Sequence, residues 1–294
     1  MAKDEHLLEK KPSSSAAWIE TQEQAAHIPI KDMGSNSLKL TERWHEGEDG
    51  WRVHFPDHTP SFYFSPFSQA MFDGIMRDID VVSSKRYPCT ATIGKIFGWT
   101  VDYAPLTPNS TGTSLVANAR FTKLLNCSLD TSQLILPRLE KSLWPLLAAP
   151  RSLGYIQKGD SCYQVLQSFH KNAHVIAYNI PCEVNLRYLV LAQHTREVGS
   201  DGKRIDKYMM TVADSDANAR NRASDPDQMV IWILEGGVCT TITEVDESTV
   251  DVVFNQWAGC LSETHGRELY IDWIRFPVRL EQTVSAAKLL PELD

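Results

Sequence analysis

Short apolar runs separated by polar turns dominate residues 160 to 260, and helical repeats of large apolar side chains flank them on both sides. Strand-like runs over Ser161 to Phe169, Ala173 to Ile180, Arg187 to Arg196, Lys207 to Asp214, Gln228 to Glu235, Val238 to Val245 and Thr249 to Trp257 predict seven strands. Lys171-Asn172 and the charged stretch Gly199 to Gly202 read as turns, and Gly236-Gly237 as a hairpin turn or bulge. Strands linked this closely must pair antiparallel, since parallel neighbours need a long crossover.

Upstream, Ser65-Pro66 predicts a helix start, followed by Phe67, Ala70, Met71, Ile75, Ile79 and Val82 at helical spacing to about Ser84. Lys95 to Tyr103 and Ser114 to Leu125 read as a hairpin around a Pro, Asn and Gly cluster. After Asp130, a candidate N-cap, Leu134 to Leu147 repeats helically, with Pro137 and Pro145 dividing it into two short helices. From Glu263 to Leu290 the residues Leu269, Trp273, Phe276, Leu280, Val284 and Leu289 share one face, with Pro277 marking a kink or break. The pattern predicts an α+β fold, a curved and mostly antiparallel sheet gripping a long C-terminal helix. Residues 1–40 are poor in large apolar groups and read as a disordered tail. The aromatic segment 41–64, with Trp44, Trp51, Phe55, Phe62, Tyr63 and Phe64, reads as packing on a single domain over 65–290.

Composition narrows the function. At 294 residues and 43% hydrophobic content the chain can bury a substantial core. A net charge of −8 argues against a sequence-independent hold on nucleic acid, which needs clustered Lys and Arg. Local charge governs attraction to anionic lipid, so a transient membrane surface stays a candidate partner. Six cysteines without C-x-x-C spacing (Cys89, Cys127, Cys162, Cys182, Cys239, Cys260) read as free buried thiols. No apolar signal core opens the chain and no run of about 18 apolar residues occurs, which leads to the expectation of a soluble, cytoplasmic protein.

Cofactor and metal chemistry have little footing. His170 and His174 form H-x-x-x-H, but Lys171-Asn172 between them signals a turn, so the helical geometry of a zinc pair is missing; Pro56 breaks His54 and His58 in the same way. No phosphate-binding glycine loop and no G-x-S-x-G occurs. The acidic pairs Asp214/Asp216 and Asp225/Asp227 sit among Arg220 and Arg222 and read as a solvated loop. Arg187 could grip a carboxylate or phosphate, with a structural pair to Glu183 or a strand neighbour as the plainer reading.

The order of elements, together with Val184-Asn-Leu-Arg187-Tyr, Thr195-Arg-Glu, Asp225-Pro226 and Val230-Ile-Trp-Ile-Leu-Glu-Gly-Gly237, resembles the steroidogenic-acute-regulatory-protein-related lipid transfer (START) domain of the helix-grip superfamily over about residues 65 to 290. The resemblance implies non-catalytic binding, transfer or sensing of one lipid or other hydrophobic small molecule in an internal cavity, with no cofactor. It also implies a lining drawn from Gln167, Arg187, Leu189, Leu191, Gln193, Trp232, Trp273 and Phe276, since alternation puts Arg187, Leu189, Leu191 and Gln193 on one strand face. Two other readings stay open. One is a helix-grip enzyme using Arg187, Gln193 and His194 on a hydrophobic substrate, the other a regulatory module whose core fills the pocket.

Overall fold

The computed structural model describes residues 50–56, 59–84, 92–109, 112, 114–136, 162–181, 184–260 and 262–287, all within the compact unit Lys39–Asp294. The expected tail, Trp44, His58, the stretch Pro137 to Leu147, Cys89, Cys182 and Glu183 lie outside the described residues.

Two strands, β1 (Trp51–Val53) and β2 (Phe62–Phe64), form a small ribbon, followed by helix α1 (Gln69–Ser84). The large sheet holds β3 (Thr92–Ile96), β4 (Trp99–Tyr103), β5 (Thr107–Pro108), β6 (Leu115–Leu125), β7 (Cys162–His170), β8 (Ala173–Ile180), β9 (Asn185–Val198), β10 (Arg204–Val212), β11 (Val230–Trp232), β12 (Gly236–Asp246) and β13 (Thr249–Cys260). Its order is β3-β4-β6-β13-β12-β10-β9-β8-β7, antiparallel throughout, with β5 beside β6. The short β11 lies parallel to the start of β9, where β10 has already ended. Residues 129–136 form α2, Asp216–Ser224 form α3, and the chain continues into α4 (Glu263–Trp273) and α5 (Arg275–Ala287). This is the expected α+β helix-grip arrangement, a large curved antiparallel sheet against a C-terminal helical segment.

Several elements differ from the sequence expectation for identifiable reasons. The run 95–103 is itself a hairpin, because Phe97 and Gly98 both take positive φ (50° and 80°) and close a two-residue turn between β3 and β4. Helix α1 buries Phe72 and Met76 and exposes Met71 and Val82, so its inward face is rotated by about one residue from the expected stripe. Its cap is Ser68, whose Oγ accepts the Met71 N–H, rather than Ser65. Helix α2 begins earlier than Asp130, on Ser128, whose Oγ accepts from Thr131 N–H. The stretch after Asp214 is a helix and not an open loop: Ser215 caps α3, and Asn218 and Asn221 tie it to Ser65. Gly236-Gly237 starts β12 instead of turning, and a Cβ on Gly237 would stand 2.0 Å from the Trp257 ring, so glycine there lets the indole lie across the strand. The C-terminal break falls at Ile274 with Pro277 in the first turn of α5, where its missing N–H costs nothing.

Both faces of the sheet are covered. On the inner face, Phe121, Val190, Tyr208, Ile242 and Phe254 pack in one cluster with Leu269, Trp273, Phe276 and Leu280 of α4 and α5. On the outer face, Val175, Leu189, Leu191 and Met209 pack with Phe72 and Met76 of α1 and with Phe62 and Phe64 of the ribbon. Each fully buried large apolar side chain contributes about 1.5–3 kcal/mol, so two separate apolar layers hold one sheet in place. Cys127, Cys239 and Cys260 are buried inside these layers, and Cys162 is half-buried.

Candidate functional site

Strand β9 decides where the expected lining residues stand. Arg187, Leu189, Leu191 and Gln193 do share one face, but it is the outer one: Leu189 and Leu191 pack under α1, and Gln193 faces Ala173 and Met209 of the same layer. Gln167 and Trp232 belong to that side as well, whereas Trp273 and Phe276 press on the inner side at 1% and 2% exposure. The expected set is therefore split between the two sides of the sheet. The physical reason is the period of two: when both faces are buried, alternation groups residues without saying which group faces the terminal helices. Arg187 and Gln193 likewise stand across the sheet from His194, so the structure does not bring the enzyme trio together.

The inner face carries its own polar groups. Tyr163, Tyr178 and Tyr188 sit directly opposite one another on β7, β8 and β9, their rings 5.6 Å and 5.2 Å apart. Burial, with Tyr178 beside it, pushes the Tyr188 phenol well above its ordinary value, so it stays protonated as a donor. Further along the sheet, Gln256 lies between Ala119 and Val238 and is 2% exposed. Tyr188 Oη and Gln256 Oε1 are both fully enclosed and have no hydrogen-bond partner among the described residues. His194 stacks flat on Tyr208 at 4.1 Å and places Nε2 3.4 Å from buried Asp206.

A polar clasp fixes the terminal helices over one half of this face. Lys123 Nζ on β6 donates to both oxygens of Glu281 on α5 (2.6 and 2.7 Å), and Trp99 Nε1 on β4 donates to the same carboxylate at 3.0 Å. Tyr270 on α4 stacks on Tyr103 at 4.0 Å and donates to the Ala104 carbonyl. The tyrosine row lies on the other half, across β7 to β9.

On the outer face Gln167 and Asn179 are engaged, whereas Asn255 Oδ1 is enclosed with no hydrogen-bond partner among the described residues. Gln167 accepts the Phe67 N–H at 3.0 Å and donates to the Phe67 carbonyl at 2.6 Å, so its partner is the backbone ahead of α1. Arg187, 1% exposed, donates Nε and Nη2 to Asn179 Oδ1 and Nη2 to the Pro60 carbonyl, and lies 4.8, 5.1 and 5.6 Å from the rings of Phe55, Phe62 and Trp232. Burial lowers its guanidinium to about 10, still charged at neutral pH. His170 and His174 serve the β7–β8 turn, where His170 Nδ1 accepts the Asn172 N–H and His174 Nδ1 meets Ser168 Oγ.

The inner tyrosines went unread because none of them breaks a pattern. A Tyr at 178 and 188 fits a strand as well as Leu does, and only the parity shared by Tyr178, Ile180, Tyr188 and Val190 with the α4–α5 contacts reveals the side.

No family model and no curated protein sequence matches the chain. Among solved structures it is similar to human StAR-related lipid transfer protein 5 (TM-score 0.48, 10% identity, 74% of this chain and 97% of that one). It is also similar to human STARD10 (0.42, 10%, 78% and 82%) and to the human StarD13 lipid transfer and protein localization domain (0.40, 6%, 74% and 98%). No helix among the described residues is long and apolar enough to cross a membrane.

Proposed function

We propose that this protein binds a single hydrophobic molecule, a lipid or a compound of like character, between the inner face of the sheet and the α4–α5 pair, for carriage or sensing without covalent chemistry. One observation carries the reading: two enclosed polar atoms, Tyr188 Oη and Gln256 Oε1, stand in an apolar layer with no partner among the described residues. An unpaired buried polar group costs about 1–3 kcal/mol, and a core with no further task would replace both with apolar groups. A ligand with a hydroxyl or carbonyl end supplies the missing acceptor to the phenol or the missing donor to the amide oxygen. Its apolar body meets Trp273 and Phe276, gaining about 25 cal/mol per Å² removed from water. Entry and exit follow from release of the Lys123–Glu281 clasp and movement of α4–α5, with a bilayer surface as a transient partner for loading.

Native mass spectrometry of the full chain purified from a eukaryotic host tests this. The expected result is a discrete excess mass, lost in the Tyr188→Phe/Gln256→Leu double variant, which melts at or above the temperature of the delipidated parent because two unpaired polar atoms are gone. A protein that carries no excess mass and takes up no fluorescent phospholipid or sterol would overturn the reading.

A further inference from the structure

The outer face holds a second feature that an interior ligand does not explain. Between the β1–β2 ribbon, the end of α3 and the loop before β11 lies a partly open cavity of about 170 Å³, lined by Phe62, Arg187, Arg222, Asp227 and Trp232 among others. That is room for a small polar group.

Its charges are unevenly matched. Arg222 grips Asp214 with both terminal nitrogens, and Arg52 pairs with Asp225 at 2.7 Å. Arg187 has no carboxylate within ion-pair distance among the described residues. Its Nε and Nη2 are consumed by Asn179 and Pro60, while Nη1 has no hydrogen bond among the described residues. Arg187 is one of the residues that line the cavity. Its hydrogen bonds go to neutral oxygens, and the Asp227 charge on the cavity wall supports the guanidinium from beyond ion-pair distance, so a closer negative charge would hold it more strongly. The guanidinium is held rigidly by its neighbours, which removes most of the ordering cost of gripping such a charge.

We infer that this cavity is a binding site for one small anionic group, a carboxylate or phosphate, received by Arg187 with Arg222 adding its charge from beside the Trp232 ring. Both guanidinium groups lie near that indole, at 5.6 and 4.9 Å. Asp225 and Asp227 at the loop side repel a polyanion, so the site favours a group with a single negative charge. The site is on the opposite side of the sheet from the proposed lipid-binding space, and the two stand or fall separately.

Nuclear magnetic resonance of the Arg187 guanidinium in the full chain reads the site. The titrants are acetate, inorganic phosphate and glycerophosphocholine, each against sodium chloride at equal ionic strength. Saturable displacement of the Arg187 signal by any of them supports the site. Saturation by phosphate or acetate points to a free anion, and by glycerophosphocholine alone to a lipid headgroup. Asp227→Asn should tighten binding severalfold, and Arg187→Lys should weaken it by about tenfold or more while the protein still melts cooperatively. The site is disproved if none of the titrants shifts Arg187 beyond the sodium chloride control, or if Arg187→Lys binds as the parent does. Should Arg187→Lys fail to fold, Asp227→Asn decides: unchanged affinity disproves the site.

Discussion

Tyr188 and Leu189 are neighbours in sequence, yet they face opposite layers of the protein. Leu189, 2% exposed, packs beneath α1 against apolar neighbours and does nothing but fill space. Tyr188, fully buried, brings a protonated phenol with no described partner into the layer under α4 and α5. The outer layer at this point is finished as a core, whereas the inner layer retains polar capacity. The difference teaches that burial alone does not mark structure or function; satisfaction of buried polar atoms separates them.

Truncating the two neighbours should break the comparison most sharply if it is mistaken. Leu189→Ala should cost about 2–5 kcal/mol in urea unfolding, since the hole under α1 cannot collapse, and leave the retained mass unchanged. Tyr188→Phe should be nearly neutral in stability and weaken retention of a polar-ended ligand severalfold, since one hydrogen bond to the ligand is worth about 1 kcal/mol. Equal losses of stability from both would show the phenol to be ordinary core.

The buried glutamines sharpen the same contrast at smaller scale. Gln167→Leu removes the partner of both the Phe67 N–H and its carbonyl, and should cost about 1–3 kcal/mol by the same unfolding measurement. Gln256→Leu removes an oxygen with no described partner and should cost less than that or stabilise the ligand-free protein. Reversal of that order would mean that Gln256 is engaged within the protein.

Much of this architecture was legible in the chain. The turns at Lys171-Asn172 and Gly199 to Gly202 set the β7–β8 and β9–β10 registers, and the Trp273, Phe276, Leu280 and Val284 stripe located the terminal helices. Side was not legible, because a strand buried on both faces carries two valid alternations, and Leu189 and Val190 are equally apolar. Helix α3 escaped because it is polar almost all round and is held by Ser215, Asn218 and Asn221 hydrogen bonds to neighbouring turns rather than by an apolar stripe. The cavity at Arg187 escaped because its walls come from three separated segments, around residues 62, 187 and 222–232, which only the fold assembles.

Acid provides the smallest and most selective probe of the two layers. His265 on α4 is buried, and burial lowers its imidazole below the ordinary 6.5 against the opposing pull of Glu268 and Asp272. A histidine depressed in the folded state contributes its stability in full above the unfolded value, and loses it as the pH falls through 6.5 toward the lower folded value. Protonation must then place a charge on a buried side chain of α4. Amide hydrogen exchange between pH 7 and pH 5.5, corrected for intrinsic rates, should accordingly show α4 opening more readily at the lower pH while α1 changes little. His265→Gln should remove most of that difference. Equal acid sensitivity in α1 and α4, or its persistence in His265→Gln, would place the titration elsewhere and leave the two layers alike in this respect.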